Sequence, residues 1–449
     1  MKQVDAMRHE SINRLLFSFS LPAVVGMLVN ALYNIVDRIF VGRGIGAVAI
    51  AATTVAFPIM IILMAVSVLV GVGATALISI RLGEDRQDDA ELIAGNAITM
   101  LVILPVVISV MVIIFAEPIL VAIGASKEVL PYAMDFIRII MAGSLFFSIS
   151  MGVNNFIRAE GNPRIAMFTQ LLGCTLNAIL NYVAIFVLGW GIKGSALSTV
   201  IAQFVSAAWV MYYFFSGRSL IKIRLPNLRI RKTVILSIMG IGFAPFALQM
   251  ANSAQNLILN KTLLYYGGDM ALAAIGIIFS LSTILFMPVI GIAQGMQPII
   301  GFNYGAGLYP RVKEAWGKAV IVATAVAVLG FIVIRLWPDP LVGLFSRENE
   351  AALTNFTVAA IKVYLLMLPV LGFQIVSSQY FQAVGKALKA AFLSLSRQVL
   401  LFIPLLLILP RIWGLDGVWV TAPLADGLAI LITGAMIFTE IKNLPKSLL

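Results

Sequence analysis

Gly73-Ala-Thr-Ala-Leu-Ile-Ser-Ile-Arg-Leu-Gly83 has a counterpart 222 residues later in the chain, Gly295-Met-Gln-Pro-Ile-Ile-Gly-Phe-Asn-Tyr-Gly305. Three further pairs of short patterns occur in the same order in both halves, at offsets of 223 or 224 residues. They are Pro22 with Pro245, Arg158-Ala-Glu-Gly161 with Gln382-Ala-Val-Gly385, and Trp190-Gly-Ile-Lys-Gly194 with Trp413-Gly-Leu-Asp-Gly417. One such match would be noise, but four at nearly one offset indicate two tandem copies of one unit.

The composition indicates that both copies lie in a membrane. Of the 449 residues, 61% are hydrophobic and 11% are charged, and the mean hydropathy is +1.02. Soluble domains are about half apolar and about a quarter charged. Twelve apolar stretches reach the roughly 20 residues that cross a bilayer as a helix. They lie at about 14–40, 47–79, 91–115, 130–156, 163–188, 193–216, 231–265, 270–303, 315–337, 351–382, 387–410 and 416–441.

These stretches predict an all-α integral membrane protein whose twelve transmembrane helices form two pseudo-symmetric six-helix bundles. The expected N-lobe is 1–216, the cytoplasmic linker 217–230 and the C-lobe 231–449. Because six is an even number, both copies enter from the same side, and an axis along the membrane normal should relate them, with a cavity between. This arrangement favours a secondary transporter that works by alternating access.

Lysine and arginine predict the orientation of the spans. The segments on the N-terminal side of the membrane carry 20 of these residues, and those on the opposite side carry eight. The positive-inside rule then places both termini in the cytoplasm of a multi-pass plasma (inner) membrane protein. The net charge of +11 could suggest nucleic acid, but the basic loop between helices 6 and 7 is better explained as a determinant of topology.

The sequence disfavours several classes of chemistry. With Cys174 as the single cysteine and one histidine in the N-terminal tail, neither an intramolecular disulfide nor a cluster of such metal ligands is possible. No phosphate-binding loop of the form G-x-x-x-x-G-K-[ST] occurs. We therefore expect no enzymatic activity, no cofactor and no bound metal. Transport should draw on an ion gradient, which requires a titratable or ion-binding group within the membrane.

The first helix carries the strongest candidate for such a group. Asn30, Asn34 and Asp37 follow at a spacing that places them on one helical face. This polar stripe is unsuited to lipid contact, so we expect it to face the bundle or a cavity, where Asp37 can exchange a proton. The alternative is that Asp37 lies near the outer interface and pairs with Arg38 or Arg43.

Helices 5 and 6 carry further polar residues. Asn177 and Asn181 are one turn apart on helix 5, and Ser195, Ser198 and Thr199 follow on helix 6. From the spacing alone, hydrogen bonding between neighbouring helices is the preferred explanation.

The second half contains two polar features within its spans. Helix 7 has too many polar residues to face one neighbour, so some should line a wet cavity. They are Gln249, Asn252, Ser253, Gln255, Asn256 and Asn260. Arg397 on helix 11 and Asp426 on helix 12 lie at similar depths in antiparallel spans, close enough for an ion pair. A structural clamp is the preferred role of this pair, and ion coupling is the alternative.

Longer motifs point to a known family. The N-half contains Leu32-Tyr-Asn-Ile-Val-Asp-Arg-Ile-Phe-Val-Gly42 and Phe156-Ile-Arg-Ala-Glu-Gly-Asn-Pro163. The C-half contains Gln294-Gly-Met-Gln-Pro-Ile-Ile-Gly-Phe-Asn-Tyr-Gly-Ala306, Tyr380-Phe-Gln-Ala-Val-Gly385, Ser396-Arg-Gln398 and Gly414-Leu-Asp-Gly-Val418. Over nearly its whole length the chain resembles the multidrug and toxic compound extrusion (MATE) family, and within it the MepA-like branch.

The resemblance implies export of amphipathic, often cationic, drugs or toxic compounds against H⁺ or Na⁺. Asp37 matches the helix 1 carboxylate that the family uses for coupling, and Pro22 matches the proline associated with bending of that helix. Asn177, Asn181 and Thr199 match positions that complete the ion site. Many members have aspartate where this chain has Asn181, and a single carboxylate suits Na⁺ less well. The expected coupling ion is therefore H⁺, with Na⁺ as the alternative.

The candidate residues thus fall into three groups. The ion- or proton-coupling group is Asp37, Asn34, Asn177, Asn181 and Thr199, with Pro22 as the hinge of helix 1. The substrate-cavity group is Asn30, Tyr33, Gln249, Asn252, Ser253, Gln255 and Asn256. The possible C-lobe ion pair is Arg397 with Asp426. The expected partners are the lipid bilayer and small amphipathic substrates, with no nucleic acid, for a chain that functions as a monomer.

Other functions fit the sequence less well. The nearest alternative is a lipid-linked saccharide flippase of the same broad superfamily, but such proteins usually have more helices and a strongly cationic cavity, whereas only Arg397 is central here. A membrane-embedded enzyme would need a convergent catalytic set, and the spans offer none. A channel or receptor has no obvious need for duplicated halves. Shifted by 223 residues, the position of Asp37 becomes Asn260, so coupling is expected in the N-lobe alone.

Overall fold

A computed structural model describes residues 2–344 and 351–445, so Arg347 and Lys446, both counted for the orientation, lie outside the described residues. Every regular element in these ranges is a helix. The first half contains α1 (Lys2–His9), α2 (Ile12–Gly44), α3 (Ala47–Gly83), α4 (Gln87–Ile114), α5 (Ala116–Ile123), α6 (Leu130–Ala142), α7 (Ser144–Gly152), α8 (Asn154–Ala159), α9 (Pro163–Tyr182) and α10 (Gly191–Phe215). The second half contains α11 (Lys232–Gly305), α12 (Tyr309–Leu336), α13 (Pro338–Gly343), α14 (Ala351–Tyr364), α15 (Leu368–Ala383), α16 (Ala387–Leu395) and α17 (Ile403–Lys442).

The described helices account for the twelve predicted spans. Eight are long and apolar enough to cross a membrane, and two bent pairs, α6 with α7–α8 and α14 with α15, bring the number to ten. Helix α11 and the run α16–α17 are two spans each, because the backbone leaves the helical region at Gly268 (φ 62°) and at Gly414 (φ 56°). Glycine adopts such positive φ angles without steric cost. The predicted all-α membrane fold with twelve spans is confirmed for the described part of the chain.

Packing divides the helices into two compact units. Unit 1 consists of the N-terminal segment up to Glu10 and of Val25–Phe246. Unit 2 consists of Ser11–Val24 and of the chain from Ala247 onward. Helices α2 and α11 therefore each contribute one part to one unit and the rest to the other.

This division differs in two segments from the lobes proposed from the repeat. Ser11–Val24 packs in unit 2, and the linker with the first part of α11, up to Phe246, packs in unit 1. The lobes were defined from the sequence repeat, whereas the units are defined by contacts between residues. The contacts therefore do not test the proposed lobe boundaries, which stay a prediction. The repeated prolines, Pro22 and Pro245, both lie within three residues of the point where a helix passes from one unit to the other.

Each unit has an apolar core of its own. Buried residues of the unit 1 core include Ala49, Leu63, Leu120, Ile137 and Ala196. Those of the unit 2 core include Leu259, Ile278, Ile361, Leu406 and Val418. Lipid is as apolar as these side chains, so close van der Waals packing and polar contacts, more than apolar burial, must hold the spans together.

The linker between α10 and α11 is bound along unit 1 by side chains of the earlier helices. The Glu160 carboxylate accepts a hydrogen bond of 2.7 Å from the Ser219 hydroxyl. The Asn96 side-chain oxygen accepts one of 2.7 Å from the backbone N–H of Arg231. The linker, which the sequence indicated only as a determinant of topology, is therefore a fixed part of unit 1.

The first part of α11 also crosses α3 with no side chains between the two backbones. A Cβ atom added at Gly242 would lie 1.7 Å from the carbonyl oxygen of Leu69. A Cβ atom added at Gly73 would lie 2.2 Å from the carbonyl oxygen of Ile238. Small residues at such crossings let membrane helices approach closely and gain van der Waals contact.

We expect Gly242→Ala to lower the free energy of unfolding by about 3 kcal/mol, because the added methyl group overlaps the backbone of α3. Gly240→Ala is a matched control on the same helix, since an added Cβ there meets nothing within 4 Å. Thermal unfolding of the purified variants in detergent measures the difference. Equal stability of the two variants would contradict the close crossing.

Candidate functional site

The strongest candidate site lies where α2, α9 and α10 meet in unit 1. The Asn181 side-chain amide donates a hydrogen bond to the Asp37 carboxylate. The Asn181 amide also lies 3.3 Å from the side-chain oxygen of Asn177, whose own amide donates to the Thr199 hydroxyl at 3.0 Å. The structure thus brings together four of the five residues proposed for ion coupling, in one connected chain of polar groups.

The cluster retains an acceptor that no protein group satisfies. The side-chain oxygen of Asn181 is buried and has no hydrogen-bond partner within the described residues. Leaving a buried polar atom unpaired costs about 1–3 kcal/mol, so such an atom calls for an explanation. A proton on Asp37 or a cation bound between the two side chains would give this oxygen a partner.

Local helix geometry places these side chains. Asn177 and Asn181 are four residues apart, so they share a face of α9. One residue after α9 ends, the chain becomes π-helical at Val183–Val187. Such segments change the direction of a helix face and are frequent at functional sites.

The structure places two residues of α2 differently from their predicted groups. Tyr33, proposed for the substrate cavity, lies close to both Thr199 and Asp37, at the edge of the cluster. Asn34, proposed for ion coupling, is exposed, and its amide donates to the backbone oxygen of Asn30 at 2.8 Å. Asn34 is thus outside the hydrogen bonds that surround Asp37.

Arg38 and Arg43 are the arginines that follow Asp37 on α2. Within the described residues, neither Arg38 nor Arg43 forms an ion pair with it. The described residues also contain no group of three metal-binding side chains from among His, Cys, Asp and Glu. Asp37 is therefore a partly buried carboxylate whose hydrogen-bond donor is an amide.

The polar residues of α11 are divided between several partners in unit 2. The Asn252 side-chain oxygen accepts a hydrogen bond of 3.2 Å from the Gln398 amide. The Ser253 hydroxyl donates to the backbone oxygen of Gln249 at 3.2 Å, within its own helix. The side-chain oxygen of Gln255 is buried and has no hydrogen-bond partner among the residues that the structure describes, whereas Asn256 is exposed. Gln398 is part of the motif Ser396-Arg-Gln398, but the spacing of residues along the sequence could not predict its hydrogen bond to Asn252 of α11.

Arg397 and Asp426 form the possible ion pair proposed from their depths. The guanidinium Nε lies 2.5 Å from a carboxylate oxygen, and the Asp426 side chain is 5% exposed. Arg397 is in the π-helical segment Ser396–Phe402 that precedes α17. Asp426 in unit 2 thus lies against a positive charge, whereas Asp37 in unit 1 lies against an amide.

Known proteins resemble the chain in both sequence and fold. The sequence profile of the MatE family matches residues 22–183 and 245–408, one match in each half. Multidrug export protein MepA of Staphylococcus saprophyticus is 26% identical over 417 residues, which are 93% of this chain and 91% of that protein.

Solved structures match over the whole fold. An outward-facing multidrug resistance MATE family transporter of the MOP superfamily has a TM-score of 0.93 at 24% identity, with 99% of each chain covered. A MOP superfamily transporter from Pyrococcus furiosus, whose binding pocket of reverse polarity suggests a different function, also gives 0.93 at 24% identity, with 100% of this chain and 99% of that chain covered. At this identity both matches concern the fold alone.

The two roles of the Arg397–Asp426 pair predict different results. As a structural clamp, Asp426→Asn should lower the free energy of unfolding by about 3–5 kcal/mol, because it leaves a buried arginine without its counter-charge. The double variant Arg397→Gln with Asp426→Asn should be less destabilised than the two single changes added together. Unfolding of the three variants in detergent tests this. Normal stability with loss of transport would instead assign the pair to ion coupling.

Proposed function

The chain belongs to the MatE family, whose members are transporters and not enzymes, and from this premise we propose that it is a cation-coupled antiporter that exports amphipathic, often cationic, compounds. The family confirms the resemblance drawn from the motifs and the prediction of a multi-pass membrane transporter. Multidrug export by the related staphylococcal MepA protein, which aligns with nine-tenths of this chain, supports the substrate class.

The Asp37 cluster is the observation that carries the coupling proposal. A carboxylate on a membrane span is costly and usually marks an ion or proton pathway. Asp37 is hydrogen-bonded by an amide and unpaired with arginine, so its negative charge is free to be balanced by a proton or by a cationic substrate. The unpaired oxygen of Asn181 next to it is the acceptor that a proton on Asp37 would use.

In the proposed transport cycle, a proton and a cationic substrate compete for the negative charge of Asp37. Deprotonated Asp37 favours entry of a cationic compound into the cavity, and protonation from outside weakens that state and promotes release. Exchange of one H⁺ for one monovalent cation moves no net charge, so a pH gradient alone can drive it. Alternating access requires α2 to change shape, and Pro22 removes a helical hydrogen bond close to the residue where α2 passes between units.

The proposed coupling ion is H⁺, with Na⁺ as the alternative. Hard cations such as Na⁺ favour anionic oxygen ligands, and this cluster has one carboxylate beside neutral amide and hydroxyl oxygens. A proton needs only one carboxylate and one acceptor. The cluster therefore suits a proton better than a sodium ion.

The saccharide flippase is the second candidate, and the charges of unit 2 disfavour it. A lipid-linked phosphorylated sugar needs a cavity with uncompensated positive charge. The central arginine, Arg397, is already neutralised by Asp426 at 2.5 Å. We further propose a plasma-membrane location, cytoplasmic termini, a functional monomer, and no cofactor or nucleic-acid partner.

We expect Asp37→Asn to reduce proton-driven efflux to the background of protein-free liposomes. The measurement is efflux of a fluorescent cation from proteoliposomes under an imposed pH gradient, with the membrane potential clamped by valinomycin and potassium. Asp416→Asn is the control, since it removes the same charge from an exposed position. Undiminished efflux by a correctly folded Asp37→Asn protein would rule out Asp37 as the coupling residue.

We expect Asn181→Asp to add sodium dependence, because a second carboxylate beside Asp37 supplies the anionic oxygen that Na⁺ prefers. Efflux at equal pH on both sides, with and without a sodium gradient, measures the change. Asn34→Asp is the matched control, since it adds a carboxylate to α2 outside the cluster. Sodium-driven efflux by the unchanged protein would overturn the assignment of H⁺.

A further inference from the structure

A cleft with no part in the proposed transport cycle lies between the ends of α9 and α10 nearest the linker. It encloses about 200 Å³ and is lined by Arg164, Phe168, Trp209, Tyr212, Ser216 and Arg218, among others. The Phe168 and Trp209 rings pack at a centroid distance of 5.4 Å and form its apolar wall. Two cationic side chains therefore stand beside one aromatic surface, all within unit 1.

The two arginines are without acidic partners. Neither Arg164 nor Arg218 forms an ion pair or a side-chain hydrogen bond in the described part of the chain, and both are exposed. The nearby carboxylate, Glu160, is turned to the linker, where it accepts hydrogen bonds from Ser219 and from the backbone of Leu220. Neither cleft arginine is thus paired with a carboxylate within the described residues.

Two further groups in the cleft can donate hydrogen bonds. The indole N–H of Trp209 is buried and has no acceptor within the described residues. The amide of Asn162, the residue before α9, donates a hydrogen bond to the hydroxyl of Tyr213, which also lines the cleft. Arg164 is in the first turn of α9, and the N-terminal ends of helices favour anions.

The order of these groups along the helices matches a membrane interface. Arg164 is the second residue of α9, and Arg218 follows the end of α10 by three residues. Phe168 lies about 6 Å further along α9 than Arg164, and Trp209 lies about 9 Å inside the end of α10, from the rise of 1.5 Å per residue. The charged groups are thus at the surface, with the apolar wall one to two turns deeper.

We propose that this cleft binds the headgroup of an anionic phospholipid, with the phosphodiester between Arg164 and Arg218 and an acyl chain along Phe168 and Trp209. Arginine forks match phosphate oxygens in a bidentate manner. The Trp209 indole donates to an ester or phosphate oxygen of the lipid. On the proposed orientation the cleft opens to the cytoplasmic leaflet, where basic pockets between membrane helices bind such headgroups.

Binding of phosphatidylglycerol to the full-length protein in neutral detergent, measured by native mass spectrometry, tests this proposal. Arg164→Gln with Arg218→Gln should weaken binding roughly 30-fold, from about a factor of five for each basic residue near the surface. Trp209→Phe keeps an aromatic wall and removes the N–H donor, so it should weaken binding about fivefold. The unchanged protein should bind phosphatidylcholine, which carries no net charge, more weakly than phosphatidylglycerol.

Arg229→Gln with Lys232→Gln is the matched control, since both residues are exposed on the linker side and lie outside the cleft. Retained phosphatidylglycerol binding in this control supports the cleft as the site. An equal loss in both double variants would overturn it in favour of general surface charge. Displacement of the lipid by an equal concentration of inorganic phosphate would overturn the assignment to a lipid.

Discussion

The bilayer core offers no hydrogen-bond partners, so a polar side chain on a membrane span must pair within the protein or remain unpaired at a cost. In unit 1 this constraint joins α2 to α9 through Asp37 and Asn181. In unit 2 it joins the π-helical segment before α17 to α17 itself through Arg397 and Asp426. The aliphatic cores provide the packing, but these polar contacts decide which faces of the helices meet.

The positions of the two repeated prolines can be explained by the division of α2 and α11 between the units. A proline inside a helix removes one backbone hydrogen bond and lowers the cost of bending there. Pro22 and Pro245 both lie close to the residue at which their helix leaves one unit for the other. The first part of α11 is held in unit 1 by the linker and by the close contact of Gly242 with the backbone of Leu69. We therefore expect α11 to bend at Pro245, and we expect the linker to keep its position.

The sequence predicted the fold well because its signals are local. Apolar length located the spans, the repeated motifs revealed the duplication, and spacing along one helix placed Asn177 and Asn181 on a common face. Contacts between distant helices were harder to predict, since they depend on register and on how the helices rotate. The Asn252–Gln398 hydrogen bond and the position of Tyr33 beside Thr199 are of this kind.

Contacts to the backbone left no signal at all in the sequence. The linker is held in part through N–H groups, such as that of Arg231, which donates to Asn96, and any residue except proline in that position supplies the same donor. The sequence likewise did not predict the cleft at Arg164 and Arg218, because the positive-inside rule already accounts for basic residues at the end of a span. Only their lack of acidic partners, together with the unpaired indole of Trp209, distinguishes them from ordinary interfacial residues.

Asp37 in unit 1 and Asp426 in unit 2 are the two carboxylates proposed for ion coupling or ion pairing, and their partners explain why only Asp37 suits coupling. A carboxylate held by an arginine gains little by binding a proton, since protonation would leave the arginine charge unbalanced in a desolvated site. When a carboxylate is hydrogen-bonded by a neutral amide, its protonation leaves no positive charge of such a partner unbalanced. Protonation of Asp37 removes a partly buried negative charge and can supply a donor for the Asn181 side-chain oxygen, which is unpaired within the described residues. The duplication thus preserved the helices and prolines in both halves, while the partner of the carboxylate determines which half can exchange an ion at low cost.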